Sequence, residues 1–568
     1  MHSKRFVPCS MKVVLCGHLL VIFGAAAIAS PYYEGTVFYD DETETATIRT
    51  GILDGGSAVV TYTPDLFKDG WDKVEVWART GNGRGSGYSA GFAEGFATQK
   101  SMWSMHVNNY ADWFLNQKED MTFTPEMAYD WLLSNWNYTK TSAENGRTAD
   151  SEEERTFWET VQRAVDQVEG LLDGYNEAAP SSKQYLTLGD VLLLNADGDV
   201  ESLQVAMGPS SLRSHGPREQ RCSAMFKLTD DNADILFGHA TWDHFDMMLR
   251  QLKTYRWSAT YDVRARMETT TDNDVEVVSF SSSPGFLTSV DDFYLTSNGL
   301  AVIETTNGNM NATLWDLLTE RSLLSWIRSY AANAVATDAL SWTKYFGTNN
   351  SGTYNNQWMV LDMNMFVPGR PLEPNTFVIA EQIPGLLAVE DRSAWLNEKR
   401  YWASYNIPAI PSIWRKSGFG QRSPAWRFSH SECPRAHYMQ HLNASVVDLP
   451  SFQRMIRYNT FGNDSNVRDA WAGYGISARF DLLSQDDANF GLGGGIDGKA
   501  TSVTLAKNRL IFHAQNGPSH DNQTPFDWRT VTYPNSQYAK PPSHIGMPDL
   551  WNYDWKRYDG LGASYHRG

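Results

Sequence analysis

The chain has 568 residues, of which 42% are hydrophobic, 13% aromatic and 20% charged, and its formal net charge is -18 at pH 7. The length predicts two or three domains, and the composition argues against a disordered chain. The negative charge and the lack of a long basic run argue against nucleic-acid binding, because a phosphate backbone requires a positive surface. The aromatic residues, which include 21 Trp, favour a sheet-rich core.

Residues 1–29 have the pattern of a signal peptide. Basic residues precede an apolar run at 13–26, and Ala27-Ile28-Ala29 is a small-x-small cleavage site. A signal anchor is the alternative, but the run is shorter than a bilayer-spanning helix and no stop-transfer pattern follows. We therefore expect a protein of the secretory pathway, lysosomal or extracellular. Six Asn-x-Ser/Thr sequons predict glycosylated surface loops, at Asn137, Asn311, Asn349, Asn443, Asn463 and Asn522.

The first part of the mature chain mixes strand and helix patterns. Strands are predicted at 35–39, 59–62 and 74–77, where β-branched and aromatic residues are frequent. Residues 88–178 have a helical pattern, and a further strand is predicted at 185–194. A turn at Ala196-Asp-Gly198 would close that strand.

Residues 207–221, MGPSSLRSHGPREQR, interrupt this pattern. Gly, Pro, Ser and Arg dominate, which predicts an exposed linker of the kind that proteases cut. The linker ends at Arg221. Directly after it, 222–228 and 235–240 predict a β-hairpin whose first residue is Cys222. Later strands are predicted at 275–281 and 300–306, and a helical pattern at 314–332.

Two of the four cysteines, Cys9 and Cys16, lie in the signal peptide, which leaves Cys222 and Cys433. The two can form one disulfide or remain free, and a free thiol in an oxidising compartment requires an explanation. A cysteine at a newly cut terminus has a nucleophilic thiol and its own α-amine as base. In an acidic compartment that amine would be protonated and would stabilise the thiolate. The alternative is a buried structural thiol.

Ser89 is a second candidate nucleophile. Gly87-Tyr-Ser-Ala-Gly91 matches the G-x-S-x-G pattern of α/β-hydrolases, but the strand that must directly precede a nucleophile elbow is missing. Gly87, Gly91 and Gly95 follow one another at every fourth position, which favours a closely packed helix face instead.

His239 ends the second strand of the predicted hairpin, which would bring it close to Cys222. A core histidine with a satisfied hydrogen bond is the alternative. The spacing of His239 and His244 suits no zinc site on a helix or strand, and Cys-x-x-Cys and His-Glu-x-x-His are absent, so no metal or cofactor is predicted. Asp291 and Asp292 would point to opposite faces of a strand, so a turn is the better interpretation.

The chain contains many separated motifs. They are Cys222-Ser-Ala, Phe237-Gly-His-Ala-Thr-Trp242, Ser283-Pro-Gly285, Asp291-Asp-Phe-Tyr294, Glu304-Thr-Thr306, Ser351-Gly-Thr-Tyr-Asn-Asn-Gln-Trp358, Glu381-Gln-Ile-Pro-Gly385, Tyr401-Trp-Ala-Ser-Tyr-Asn-Ile-Pro408, Arg457-Tyr-Asn459, Ile476-Ser-Ala-Arg479, Gly494-Gly-Ile-Asp497 and Pro548-Asp-Leu-Trp551. Together, and in this order, they resemble the phospholipase B-like family, and the match runs from about residue 33 to 555.

The resemblance implies an α/β fold of four layers, αββα, of the N-terminal-nucleophile hydrolase type, with antiparallel sheets to which both fragments contribute. The implied divisions are a signal peptide (1–29), an N-terminal fragment (30–206), the cleavable linker (207–221) and a C-terminal fragment (222–568). The two fragments would stay associated. The resemblance also implies a disulfide in the C-terminal half, and this chain departs from that pattern because Cys433 is the only cysteine there.

The implied activity is removal of fatty acyl chains from glycerophospholipids, with transient contact at a membrane surface. Cys222 would be the nucleophile, released when its thiol attacks the Arg221 carbonyl in an N-to-S acyl shift. Its α-amine would act as base. His239 would be a catalytic residue, and both His239 and Trp242 would line the site.

Other matched residues receive inferred roles. Thr305 or Thr306 would hydrogen-bond the amine, and Asn356 would donate to the oxyanion, since a neutral amide suits developing negative charge. Arg457 would hold a phosphate or tune the thiolate. Two alternatives stay open: an amidase acting on N-acyl substrates, because related folds mostly cleave amides, and a processed lipid-binding glycoprotein with little catalysis.

Overall fold

The computed structural model describes most of the mature chain. The described residues are 32–81, 83–111, 123–208, 222–259, 275–289, 291–421, 425–459, 471–487, 489–531 and 543–562. The predicted signal peptide, linker residues 209–221 with Arg221, and the sequon at Asn463 lie outside them.

Helices are found in both halves of the described chain. They are α1 (Leu66–Asp69), α2 (Gly85–Met105), α3 (Pro125–Gly146), α4 (Glu152–Ala178), α5 (Leu188–Asn195), α6 (Asp197–Met207), α7 (Ser325–Val335), α8 (Ala339–Phe346), α9 (Ser393–Lys399), α10 (Pro411–Lys416), α11 (Pro434–Leu442), α12 (Leu449–Ile456) and α13 (Val503–Arg509). Among the described residues, none of these helices has the length and apolar character needed to cross a bilayer.

The strands are β1 (Tyr33–Asp40), β2 (Thr45–Thr50), β3 (Ala58–Thr63), β4 (Asp72–Arg79), β5 (Ser223–Leu228), β6 (Ile235–Ala240), β7 (Trp242–His244), β8 (Gln251–Ser258), β9 (Val275–Ser282), β10 (Phe293–Thr296), β11 (Leu300–Thr306), β12 (Asn356–Asp362), β13 (Phe377–Ile383), β14 (Leu386–Asp391), β15 (Tyr401–Ser404), β16 (Gly493–Gly495), β17 (Asp497–Ser502), β18 (Ile511–Asn516), β19 (Phe526–Asp527), β20 (Leu550–Trp551) and β21 (Lys556–Asp559). The protein is therefore a mixed α/β structure.

Eleven strands form the larger sheet, sheet A, in the order β14-β13-β12-β11-β10-β9-β8-β4-β3-β1-β2. Strands β1 to β4 precede Cys222 and the other seven follow it, so both sides of the predicted cut contribute. Strands β4 and β8 are parallel, paired from Asp72 with Gln251 to Arg79 with Ser258. The prediction of wholly antiparallel sheets is wrong for this pair, because a long excursion through helices and a hairpin joins the two strands, and such a crossover permits parallel pairing.

Six strands form sheet B, in the order β15-β5-β6-β17-β18-β21, and all of them follow Cys222. Apolar side chains from the two sheets meet in one core, as Phe226 and Phe237 of sheet B do with Phe377 of sheet A. Helices α2, α4 and α7 pack on the outer face of sheet A, and α11 and α12 on that of sheet B. The order of layers is therefore helix, sheet, sheet, helix.

Most of the predicted strands are confirmed, at 35–39, 59–62, 74–77, 235–240, 275–281 and 300–306. The predicted strand at 185–194 is wrong, because α5 occupies most of it. Thr187 and Asp190 form a capping box that starts the helix, and a short apolar run alone does not distinguish helix from strand. The predicted turn at 196–198 is the start of α6.

The predicted close-packed helix face is confirmed. Gly87, Gly91 and Gly95 lie on α2 against α4. A Cβ atom built on Gly91 would lie 1.9 Å from the backbone oxygen of Gln167, and one on Gly95 would lie 2.1 Å from that of Leu171. Backbone therefore packs directly on backbone where the two helices cross.

Gly91→Ala is expected to destabilise the fold by about 1 to 3 kcal/mol or more, since the added methyl group overpacks a contact made by backbone that cannot rotate away. The measurement is the midpoint of guanidinium unfolding. Gly81→Ala is the matched control, because a Cβ atom there meets nothing within 4 Å. Equal midpoints for the two variants would contradict the packing argument.

Candidate active site around Cys222

Cys222 directly precedes β5, the strand that pairs with β6. Its side chain is 3% exposed, and its backbone has a φ of 68°, in the left-handed region that costs free energy for a residue with a Cβ atom. The guanidinium of Arg435 on α11 fixes this backbone. Its Nη1 donates to the Cys222 carbonyl oxygen at 2.6 Å and to Ser223 Oγ at 3.1 Å.

Three buried side chains converge at this point. The Sγ of Cys222, a ring nitrogen of His239 and a carboxylate oxygen of Glu304 all lie within 4.8 Å of one another. Cys222 directly precedes β5 of sheet B, His239 lies in β6 of the same sheet, and Glu304 lies in β11 of sheet A, so the cluster joins residues of the two sheets. The hydroxyl of Tyr354 donates to Glu304 Oε1 at 3.1 Å. We call Cys222, His239 and Glu304 the thiol cluster.

Burial sets the protonation states of the Cys222 thiol and the His239 imidazole. Burial, and to a smaller extent the Glu304 carboxylate, raise the pKa of Cys222 well above 9. The backbone N–H of Trp242 and the cation of Lys499 lower this pKa, but their effect is smaller. Burial and Lys499 lower the pKa of His239 well below 6.5. The intact chain therefore holds a neutral thiol beside a neutral imidazole, and not a thiolate–imidazolium pair.

A square of buried charges lies behind His239. Asp291 pairs with Lys499 at 2.6 Å and with Arg250 at 2.6 Å, and Asp497 pairs with the same two cations at 2.6 Å and 3.0 Å. The two cations lower the pKa of Asp291 well below 3.8, although burial alone would raise it. The four charges balance, so this square, the charge square, adds no net charge beside the thiol.

Thr241 connects His239 to the charge square. Its Oγ1 lies 3.4 Å from His239 Nδ1 and donates to Asp291 Oδ2 at 3.2 Å. In the part of the chain that the structure describes, His239 Nε2 has no hydrogen-bond partner although the side chain is fully buried. One ring nitrogen is thus positioned by the protein, and the other is available to a ligand or a reacting group.

Trp242 lies beside the carbonyl end of Cys222. The Arg435 guanidinium stacks on its ring at 4.4 Å, and its Nε1 donates to the backbone oxygen of Ile476 at 2.9 Å. The structure therefore brings together Cys222, His239 and Trp242, which the sequence analysis placed near one another. Their predicted roles stay predictions.

Asn356 and Thr306 face each other across β12 and β11 in the strand register. Alternation puts both on the same face of sheet A as Glu304, with Thr306 roughly 7 Å further along the strand. Asn356 is fully buried, and within the described chain neither of its amide atoms has a hydrogen-bond partner. A buried amide in this state is suited to a bound group, and the predicted role as oxyanion donor stays a prediction.

Thr305 lies between Glu304 and Thr306 on β11 and contacts sheet B. Its hydroxyl lies 2.6 Å from Ser404 Oγ on β15. Ser404 pairs with Ala224, two residues after Cys222. Thr305 therefore ties sheet A to the strand next to the cysteine.

Arg457 lies at the C-terminal end of α12, against Gly498, one residue before Lys499 of the charge square. Its two terminal nitrogens donate to the backbone oxygens of Gly517 and Pro518, each at 3.0 Å. Burial lowers the pKa of Arg457 to about 10. These hydrogen bonds connect α12 to the backbone at Gly517 and Pro518, and the predicted phosphate contact stays a prediction.

Comparison with known proteins identifies the family of the chain. A sequence model of the phospholipase B family matches residues 58–558. The phospholipase B-like protein A of Dictyostelium discoideum is 32% identical over 570 residues, 94% of each chain. The chain belongs to the phospholipase B-like family. A phospholipase B-like 2 protein of Bos taurus is 37% identical over 418 residues, which cover 69% of this chain and 68% of the bovine one.

Three other features of this phospholipase B-like chain can now be placed. Cys222 and Cys433 are both free thiols, and Cys433 Sγ accepts the Ala436 N–H at 3.4 Å, at the start of the helix that carries Arg435. Ser89 is buried within α2 and is not preceded by a strand, so it does not form a nucleophile elbow. The predicted turn holds as well, because the Asp292 N–H donates to the Ser289 oxygen at 3.1 Å.

The described sequons differ in exposure. Asn137, Asn349 and Asn522 are exposed, whereas Asn311 and Asn443 are half-buried. The side-chain amide of Asn311 donates to the Lys416 backbone oxygen at 3.0 Å. Exposure favours the first three as glycosylation sites, and use of any sequon stays a prediction.

A cavity of about 600 Å³ lies among α2, α3, α4, α7 and β9. Its charged lining residues are Arg84, Glu144, Arg147, Glu159, Arg163, Asp166 and Glu276. Cys222 does not line it, and its polar character does not suit an acyl chain. Burial raises the pKa of Asp166 to about 7, although Gln162 Nε2 donates to it at 2.9 Å.

Asp166→Asn is expected to change the pH dependence of stability. A raised carboxyl pKa means that the folded protein binds the Asp166 proton more tightly than the unfolded chain does. The free energy of unfolding is therefore highest below pH 3.8 and falls as the pH rises from 3.8 toward 7. The variant cannot titrate there. Its stability relative to wild type should therefore rise by up to about 1.4 kcal/mol per pH unit across this window.

The measurement is the apparent Tm of both proteins across this pH range. The exposed Asp130 on α3 offers a matched control, Asp130→Asn, whose side chain lies in water. A Tm difference for Asp166→Asn that is the same at acidic and neutral pH would refute the expected linkage.

Proposed function

We propose that this chain hydrolyses acyl esters of glycerophospholipids, with Cys222 as an N-terminal nucleophile after cleavage before it. The observation that carries the proposal is the thiol cluster: a buried cysteine directly before a strand, beside a histidine and a carboxylate. This cysteine directly follows a linker sequence of the kind that proteases cut. The helix-sheet-sheet-helix order supports an N-terminal-nucleophile hydrolase fold. The family names support a hydrolase that acts on phospholipids.

Cleavage is the first step of the proposed mechanism. The Cys222 thiol attacks the Arg221 carbonyl carbon, and the acyl group moves from nitrogen to sulfur, which breaks the peptide bond and frees the α-amine of Cys222. Water then hydrolyses the thioester, which releases the Arg221 carboxylate and restores the thiol. The backbone geometry favours this step. A positive φ at Cys222 stores strain, and cleavage removes the peptide carbonyl on which that torsion depends.

The released amine supplies the base that the intact site lacks. His239 is a weak base, because burial lowers its pKa well below 6.5. An α-amine has a pKa of roughly 7.7 to 8 and lies on the same residue as the thiol. Before the cut this group is an amide and cannot accept a proton, so the uncut chain should be inactive.

Acyl transfer then follows in two halves. The thiolate attacks the ester carbonyl, and the α-ammonium gives its proton to the departing lysophospholipid oxygen. Water next attacks the thioester, releases the fatty acid and restores the thiol. The backbone N–H of Trp242 already acts on the Cys222 sulfur, and together with the buried amide of Asn356 it is our choice for stabilising the tetrahedral oxyanion.

The proposal extends to the setting of the enzyme. The signal-peptide pattern and the sequons support a glycoprotein of the lysosome or the extracellular space, in transient contact with lipid surfaces. The pairing of β4 with β8 supports continued association of the two fragments, because it joins strands from both sides of the cut within one sheet.

The test is a substrate panel on the cut protein. Phospholipids and N-acyl amines with the same acyl chain are compared, with release of free fatty acid measured by mass spectrometry and Cys222→Ala as the blank. We expect release from the phospholipids that Cys222→Ala abolishes. Release from the amides alone would identify an amidase. Equal lipid binding by both proteins, without turnover by either, would identify a binding protein.

A further inference from the structure

We propose that the thiol cluster binds one zinc ion, with Cys222, His239 and Glu304 as ligands, and that the bound ion holds the site in an inactive state. His239 and Glu304 come from strands of different sheets and Cys222 directly precedes β5, and the three side chains meet inside the protein. Binding of the ion is independent of the proposed function, whereas its inhibitory effect rests on that function.

The spacing of the three ligand atoms suits a small cation. They lie within 4.8 Å of one another. Ligand atoms around a tetrahedral zinc ion lie roughly 3.3 to 3.7 Å apart, so a closure of about 1 Å completes the geometry. Small rotations of side chains provide movements of this size. The fourth position is left for water or a substrate oxygen.

The histidine is presented as a metal ligand usually is. His239 is fully buried, its Nδ1 lies 3.4 Å from Thr241 Oγ1, and within the described chain its Nε2 has no partner. Thr241 in turn contacts the Asp291 carboxylate of the charge square. Outer contacts of this kind fix the ring orientation of zinc-binding histidines.

Charge also favours a dication. A thiolate and the Glu304 carboxylate would place two negative charges beside a neutral imidazole. Lys499, the nearest cation in the charge square, is already paired with two aspartates at 2.6 Å each. Thiolate and imidazole together select zinc over magnesium or calcium, which prefer oxygen ligands. On binding, the thiol releases its proton to solvent and forms the zinc–sulfur bond.

Zinc would block the proposed chemistry at its first step. The sulfur lone pair that attacks a carbonyl carbon is the one donated to the ion. Removal of the ion by a chelator would restore the nucleophile without a change in covalent structure. The site would then be a reversible means of control over a reactive cysteine.

The test is direct binding of zinc to the full chain, in its cut and uncut forms, after treatment with a chelator. Calorimetry with zinc chloride and metal analysis after dialysis measure affinity and stoichiometry. Cobalt(II) is the spectroscopic probe, because a thiolate ligand produces an intense near-ultraviolet charge-transfer band. Cys433→Ser is the matched control, since Cys433 is also a buried free thiol but does not belong to the cluster.

We expect one zinc ion per chain in wild type and in Cys433→Ser. Cys222→Ser, His239→Gln and Glu304→Gln should each weaken binding at least about tenfold, and Cys222→Ser should remove the cobalt–thiolate band. Circular dichroism verifies the fold of each variant. Failure of wild type to bind zinc, or equal binding by Cys222→Ser and Cys433→Ser, would overturn the proposal. A zinc-free protein that is inactive on every acyl substrate but binds zinc through Cys222 would overturn the proposed function and the inhibitory effect that rests on it, and would leave the zinc site in place. A zinc-free protein that is active, and whose turnover added zinc does not lower, would overturn the inhibitory effect.

Discussion

Cys222→Ala is expected to leave the chain uncut before residue 222 and to abolish release of fatty acid, by roughly 10³-fold or more, since it removes the nucleophile of both reactions. Terminal sequencing of the protein after incubation at acidic pH measures the cut. Mass spectrometry of released fatty acid measures the activity. The structure gives the reason for both losses, because Cys222 is the only cysteine of the thiol cluster.

Two further variants make this result specific. Cys222→Ser keeps an attacking oxygen and should be cut slowly, with little or no turnover, because a hydroxyl is a weaker nucleophile than a thiol. Cys433→Ser keeps a side chain that can cap α11 and should behave like wild type. Normal cleavage of Cys222→Ala, or a new terminus at another residue, would contradict self-cleavage and point to a protease acting on the basic linker.

The second large effect is expected from Lys499→Met, which breaks the charge square. Lys499 is fully buried and is shared by Asp291 and Asp497. Without it, two buried carboxylates face each other with only Arg250 to balance them. Removal of one partner from a buried ion pair costs about 3 to 5 kcal/mol. We therefore expect poor expression and a markedly lower apparent Tm.

Lys344→Met is the control for this variant. Lys344 and Glu153 also form a 2.6 Å ion pair, but the two side chains are 66% and 46% exposed. Water screens such a pair, so its loss should leave the Tm unchanged within error. Equal Tm values for Lys499→Met and wild type would show that the charge square does not stabilise the fold.

The sequence predicted the local part of the site well. A linker, a cysteine and two short strands in succession are contained in 34 residues, 207–240, so hairpin geometry alone relates Cys222 to His239. The register confirms this, since Ser223 pairs with Ala240 and Ala224 with His239. The packing of Gly91 on α4 was likewise readable, because helical spacing is a local property.

The sequence analysis missed what distant segments build together. Glu304 comes from β11 of the other sheet, and Asp291, Lys499 and Arg250 come from three separate strands or turns. Glu304 is the one charged residue of β11, LAVIETT, and a charged residue in a mainly apolar strand indicates a buried partner without identifying it. Arg435, which fixes the Cys222 backbone from a helix more than two hundred residues later, gave no such signal.

The pairing of β4 with β8 has a consequence for the lifetime of the protein if it is cut as we propose. Sheet A would assemble while its two parts belong to one chain, and a cut before Cys222 would leave neighbouring strands on separate polypeptides. Refolding would then be a second-order encounter between two incomplete sheets with open edges that favour aggregation. The mature molecule would persist because it unfolds slowly, and once unfolded it would be lost, so its lifetime, and not its folding equilibrium, determines how long it remains.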